Sequence, residues 1–99
     1  MHAHVNIWKL NDKGAQADDD AARDLANGLR QQPGFHSYTL VRTGDQEVVV
    51  VTIFETADQL HAAMHAVADV VHRDIDPVVE GEPMRRAGEV LFHAHKEAS

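Results

Sequence analysis

Residues 48–54 read Val-Val-Val-Val-Thr-Ile-Phe, apolar at every position but one. A run this short and this rich in β-branched residues forms a strand. Odd and even positions are apolar alike, whereas an antiparallel strand with one wet face alternates. The strand Glu47–Glu55 therefore sits centrally in its sheet and needs a covering layer on each face.

The neighbouring segments supply one of those layers. His2 to Leu10 alternates, with Ala3, Val5 and Ile7 on one face and His2, His4, Asn6, Trp8 and Leu10 on the other, which predicts a first strand. Asn11–Gly14 reads as a turn, and Asp18-Asp19-Asp20 as the N-cap and acidic first turn of a helix from about Asp18 to Gln32. Its inward stripe is Ala22, Leu25, Ala26 and Leu29, and Pro33-Gly34 ends it. Phe35 to Thr43 is a second strand, with His36, Tyr38 and Leu40 sharing a face. Gly44-Asp45-Gln46 closes a hairpin onto the central strand. Thr56 or Asp58 caps a second helix to about Asp76, with Leu60, Met64, Val67, Val71 and Ile75 at helical spacing. Pro77 stops it, and Met84 to Lys96 alternates as a last strand.

The order βαββαβ is the ferredoxin-like α+β arrangement, an antiparallel sheet with two helices on one face. Crossover handedness places strands one and three at the centre, strand two beside three and strand four beside one. No element remains for the other face of Val48–Phe54. A second copy of the same sheet, packed face to face, is the simplest cover, so a homodimer is expected.

The chain has 99 residues, which fit a single domain over 1–99. Nine basic against sixteen acidic residues leave a formal charge of −7, which argues against nucleic-acid binding. There is no cysteine, hence no disulfide scaffold, thiol catalysis or cysteine-ligated metal. No apolar run reaches the roughly 20 residues of a membrane span. No export leader is recognisable, so a cytoplasmic location is expected. Glycine-rich phosphate loops and G-x-S-x-G are lacking too.

Eight histidines are the compositional oddity. His2-Ala3-His4 and His93-Ala94-His95 repeat one pattern, and in strands each pair shares a face. The topology sets the two pairs side by side, where four imidazoles could hold Zn²⁺, Ni²⁺ or Cu²⁺ if the register allows; exposed surface histidines are the plainer alternative. His61, His65 and His72 lie along one flank of the second helix, without H-E-x-x-H. Of these, His72 is expected nearest any pocket between sheet and helix. Arg85-Arg86 on the last strand point to opposite faces.

Three segments carry a family likeness: Pro33-Gly34-Phe35 leading into the second strand, Val50–Thr56 running into the second helix, and the short final strand. With the βαββαβ order they resemble the antibiotic biosynthesis monooxygenase (ABM) type of dimeric α/β barrel, over about His4 to His95. The resemblance implies a homodimer with a cavity between sheet and helices. There a cofactor-independent monooxygenase would act on a small aromatic or polyketide-like substrate and dioxygen. It points to Asn6 and His72 as catalytic groups, and to Trp8, Tyr38 and Met64 as substrate-binding ones. The chemistry asks for a dry pocket, a base near neutral pKa and donors to an oxyanion, with His72 as base and Asn6 and Tyr38 as donors. Haem-degrading relatives imply a first-strand asparagine, a second-helix tryptophan and a haem-ligating histidine. Asn6 and His72 fit, but Ala63 and Met64 occupy the tryptophan's region. A non-catalytic module for a small ligand or metal is the alternative from another class.

Overall fold

The structure is a computed structural model that describes residues 1–16 and 20–94. Four strands, β1 (His2–Lys9), β2 (Phe35–Gly44), β3 (Glu47–Phe54) and β4 (Met84–Glu89), form one antiparallel sheet in the order β2-β3-β1-β4. This is the ferredoxin-like topology expected from the sequence, with the two-sided apolar strand central. The helices are α1 (Asp12–Gln16), α2 (Asp20–Arg30), α3 (Ala57–Ala66) and α4 (Ala68–Val70). A π-helical turn, Val71–Ile75, and a 3₁₀ turn, Asp76–Val78, continue α4. Among the described residues no helix is long and apolar enough to cross a membrane.

Register fixes the faces. Asn6 lies opposite Val50 on β3 and Arg85 on β4, and Tyr38 lies opposite Thr52. The face carrying His4, Asn6 and Trp8 with Val48, Val50, Thr52 and Phe54 meets the helices. Two buried clusters form there. One is Leu29, Phe54, Leu60, Ala63 and Val67; the other is Trp8, Leu10, Val48 and Val50. Tyr38 and Val71 pack against both. The opposite face carries Ala3, Val5, Ile7, Val49, Val51 and Ile53, flanked by exposed Val41 and Met84. Just past β4, Leu91 and Phe92 are 90% and 86% exposed.

Several boundaries differ from expectation. Asn11–Gly14 is no turn: Asn11 Oδ1 accepts from the Gly14 N–H at 2.8 Å and starts α1. Gly14 lies so close to the Val78 carbonyl that a Cβ there would collide with it. Asp18 and Asp19, read as a helix cap, lie outside the described residues. The long second helix is capped by Thr56, whose Oγ1 accepts from Gln59 N–H at 3.1 Å, and is interrupted at Val67. Beyond it the backbone widens, and the Asp76 N–H reaches back five residues to the Val71 carbonyl. In β2 a bulge between Phe35 and Ser37 moves Phe35 onto the helix side. There its ring meets Phe54 edge-on, at 5.6 Å between centroids. His36 is thereby displaced from the Tyr38 face; it is exposed, with Nε2 2.5 Å from Glu55 Oε2. The last strand ends at Glu89, not Lys96.

Gly34 makes the turn before β2. Its φ of 82° is one that side chains rarely adopt, and a Cβ would run into the Gln59 side chain. Its carbonyl accepts from the Glu55 N–H at 2.8 Å, which ties the turn to the end of β3.

Candidate functional site

Between the sheet and the helical layer lies a cavity of about 360 Å³. Residues of both buried clusters line it, and Tyr38 and Val71, which pack against both, line it too. Asn6, Trp8 and Tyr38 line it from the strands, and Met64, Val67, Val71 and Ile75 from the helical run. Leu40 and Arg42, both exposed, stand at its β2 side. Most of the lining is apolar, as in a site that takes a hydrophobic ligand and orients it with few polar groups.

Two of those polar groups are unusual. Asn6 is 8% exposed, and its Oδ1 is buried with no hydrogen-bond partner. Unpaired buried acceptors are rare in native proteins because each costs its desolvation. Tyr38 has its hydroxyl pushed up to about 12 by burial, so it stays a neutral donor throughout the physiological range.

A second, wider groove of about 630 Å³ runs between the β1–β4 side of the sheet and the helical run. His2, His4, His61, His72, Asp58, Asp76 and Arg85 contribute to it. Asn6, Trp8, Met64 and Val71 line both spaces and form the wall between them. The burial of His4, aided by the Arg85 guanidinium, holds its imidazole below the ordinary 6.5. Its Nδ1 is buried without a partner.

The structure thus brings Asn6, Trp8, Tyr38 and Met64 to one cavity, and leaves His72 out of it. Of the three histidines expected along the second helix, His61 and His72 line the groove between sheet and helices, and none lines the cavity. Val71 and Ile75, four apart, take the inward positions of the π turn. His72 faces the groove with its side chain 74% exposed and Nδ1 2.7 Å from Asp76 Oδ2. The register brings no described histidine opposite His2 or His4. His2 pairs with Glu89 and His4 with Ala87; His93 lies beyond the end of β4, and His95 lies outside the described residues. Among the described residues no group of three or more His, Cys, Asp or Glu is placed to hold a metal. At the helix positions where haem degradation would call for tryptophan, Ala63 is buried in the core and Met64 lines the cavity. Thr52, Arg42 and Arg85 were missed as lining residues. Thr52, the lone polar residue of the apolar run, was the available signal.

A ferredoxin-like α+β domain whose helices enclose a cavity on the sheet defines the class. Residues 1–69 match the family model of antibiotic biosynthesis monooxygenases, and the chain belongs to that family. Solved structures share the fold at low identity. A protein of unknown function from Nitrosomonas europaea, NE2512, is 12% identical at a TM-score of 0.81, covering 98% of this chain and 95% of that one. SnoaB, a cofactor-independent oxygenase from Streptomyces nogalater, is 18% identical at a TM-score of 0.73, covering 97% and 94%. Rv0793 from Mycobacterium tuberculosis is 12% identical at 0.77, covering 95% and 98%. No curated protein matches the chain.

Proposed function

We propose that the chain is a cofactor-independent monooxygenase which oxidises a small, electron-rich aromatic or polyketide-like substrate in the cavity of about 360 Å³, working as a homodimer. The observation that carries this reading is the unpaired, buried Oδ1 of Asn6 in an otherwise apolar wall. A ligand hydroxyl would satisfy it. Membership of the family supports the reaction class, and the likeness to SnoaB, a cofactor-independent oxygenase, supports the absence of a cofactor.

An activated methylene flanked by aromatic rings loses a proton to give a delocalised anion. That anion transfers one electron to dioxygen, and the radical pair combines into a peroxide anion, R₂CHOO⁻. As its remaining C–H bond and its O–O bond break, it gives the ketone and hydroxide; hydroxide takes up the proton first lost, so that R₂CH₂ + O₂ gives R₂C=O + H₂O with every electron drawn from the substrate. The cavity contributes a dry environment, which strengthens polar contacts to the developing oxyanion. The Tyr38 hydroxyl and the Asn6 amide N–H are its donors. Trp8 and Met64 hold the rings.

The dimer reading rests on the uncovered sheet face of Val5, Ile7, Val49 and Val51, continuous with exposed Val41 and Met84. A contiguous apolar face of this kind marks an interaction surface. The test is oxygen uptake with anthrone as probe, in chelator-treated protein without added flavin or metal. Uptake matched by anthraquinone formation supports the reading; uptake no faster than in buffer refutes it.

A further inference from the structure

Among the described residues the cavity lining can hold an anion but offers no group to make one. Apart from Asn6 and Tyr38, its described polar side chains are Trp8, Arg42 and Thr52. An indole, a guanidinium and an alcohol accept no proton at neutral pH, and neither does an amide. Tyr38 is held as a neutral phenol. The groove, across the wall that Asn6 and Trp8 share, holds the proton acceptors that the described lining lacks.

Four imidazoles line that groove, and their positions separate them. His61 and His72 are exposed on the helical layer, and the Nδ1 of His72 is engaged by Asp76. His2 lies at the far end of β1, four residues from Asn6. His4 is the inward neighbour of Asn6 on the same strand, roughly 7 Å along it at 3.3–3.4 Å per residue. Its Nδ1 and the Oδ1 of Asn6 are two of the three buried unpartnered side-chain atoms among the described residues. Two such atoms at adjacent positions of one face are an unfinished polar site, which a ligand seated at the wall would complete.

We propose that His4 is the proton acceptor of this site, taking the proton from the activated C–H or O–H of a substrate held against Asn6. The bond to hydrogen breaks with its electron pair left on the substrate, and an N–H bond forms on the imidazole. The imidazolium later gives that proton to the hydroxide released when the peroxide anion collapses, giving water. The assignment rests on the oxygenase reading of the cavity and makes the substrate a weak acid.

The surroundings suit a base. The titratable and charged groups that line the groove with His4 are His2 on its own strand, Arg85 on β4, Asp58 and His61 on α3, and His72 and Asp76 beyond it. Arg85 lies directly across from Asn6. With burial, it keeps His4 neutral at neutral pH and so able to accept a proton. The groove opens to solvent, which lets the imidazole exchange protons without opening the cavity.

The test compares wild type with His4→Gln, His72→Gln and His65→Gln, the last in neither space. Oxygen uptake with anthrone is followed from pH 5 to 9. Wild type should lose kcat on the acid side with a midpoint below 6.5. His4→Gln should lose about 10²-fold or more in kcat and lose that limb, with KM nearly unchanged. His65→Gln should match wild type. The proposal is overturned if His4→Gln keeps the limb, or if His72→Gln removes it instead. A second measurement needs no variant: histidine ¹⁵N resonances of wild type titrated with alizarin, an unreactive phenolic probe. The His4 signals should move and its titration midpoint should rise. Signals of His61 or His72 moving while His4 stays still overturn the assignment. Turnover with an unresponsive His4 refutes this proposal alone. No turnover with a responsive His4 refutes the oxygenase reading, and leaves His4 as the ligand's proton partner.

Discussion

Replacing Asn6 by leucine separates folding from function in one side chain. Leucine keeps the branched outline of asparagine, and the cavity beside it has room for its extra volume; it removes the buried Oδ1 that has no partner. An unpaired buried acceptor costs about 1–3 kcal/mol. Asn6→Leu should therefore stabilise the ligand-free protein by about 1–2 kcal/mol. At about 4–8 °C per kcal/mol for a domain of this length, Tm should rise by roughly 4–16 °C. Differential scanning calorimetry at fixed protein concentration measures it, the concentration being held because a dimer's Tm depends on it. The same variant should lose about 10²-fold in anthrone turnover, the scale of removing one oxyanion donor. A stabilised, inactive protein is the signature of a polar group kept for a ligand. A fall in Tm of several degrees would show that the amide is paired within the fold, and would refute the inference that it waits for substrate.

Three further outcomes are expected. Tyr38 is the only tyrosine in the chain, so absorbance at the phenolate band reports it alone. While the fold persists, its ionisation should appear near 12; a midpoint near 10 would mean that the cavity wall is wet. Val51→Lys on the uncovered sheet face should raise the dimer dissociation constant at least a hundredfold in sedimentation equilibrium, about 2.8 kcal/mol at 1.4 kcal/mol per tenfold; unchanged assembly would place the interface elsewhere. For stability against pH, the folded protein holds His4 below 6.5. As pH falls below 6.5 the unfolded chain binds this proton first, so stability declines until the folded-state value is passed. His4→Gln should flatten that part of the denaturant-midpoint profile, and an identical decline in the variant would remove His4 as its source.

The element order was legible because it rests on local signals. The two-sided apolar run placed β3 at the sheet centre. Alternation in His2–Leu10 put Asn6 and Trp8 on one face, and Pro33-Gly34 marked the turn where Gly34 has positive φ. Four of the five residues named for catalysis or substrate binding, Asn6, Trp8, Tyr38 and Met64, meet in one cavity because strand and helix periodicity alone decides which way they point. The exception is His72. It follows Val71 on the helical run, so it takes the flank beside the inward stripe and lines the groove with His61. The bulge in β2 reversed the reading of Phe35 and His36.

What the sequence determined by itself was the set of elements, their order and the inward face of each. These follow from hydrophobic period and turn chemistry, which act over a few residues. The tertiary structure alone decided register, the end of β4 at Glu89 and the cavity that both buried clusters line. Those depend on how distant segments meet. That meeting set His2 opposite Glu89 and His4 opposite Ala87, and left the buried polar atoms of His4 and Asn6 unpaired on one face. A strand's pattern shows which face a side chain takes; only the packing of the other elements shows what, if anything, it finds there.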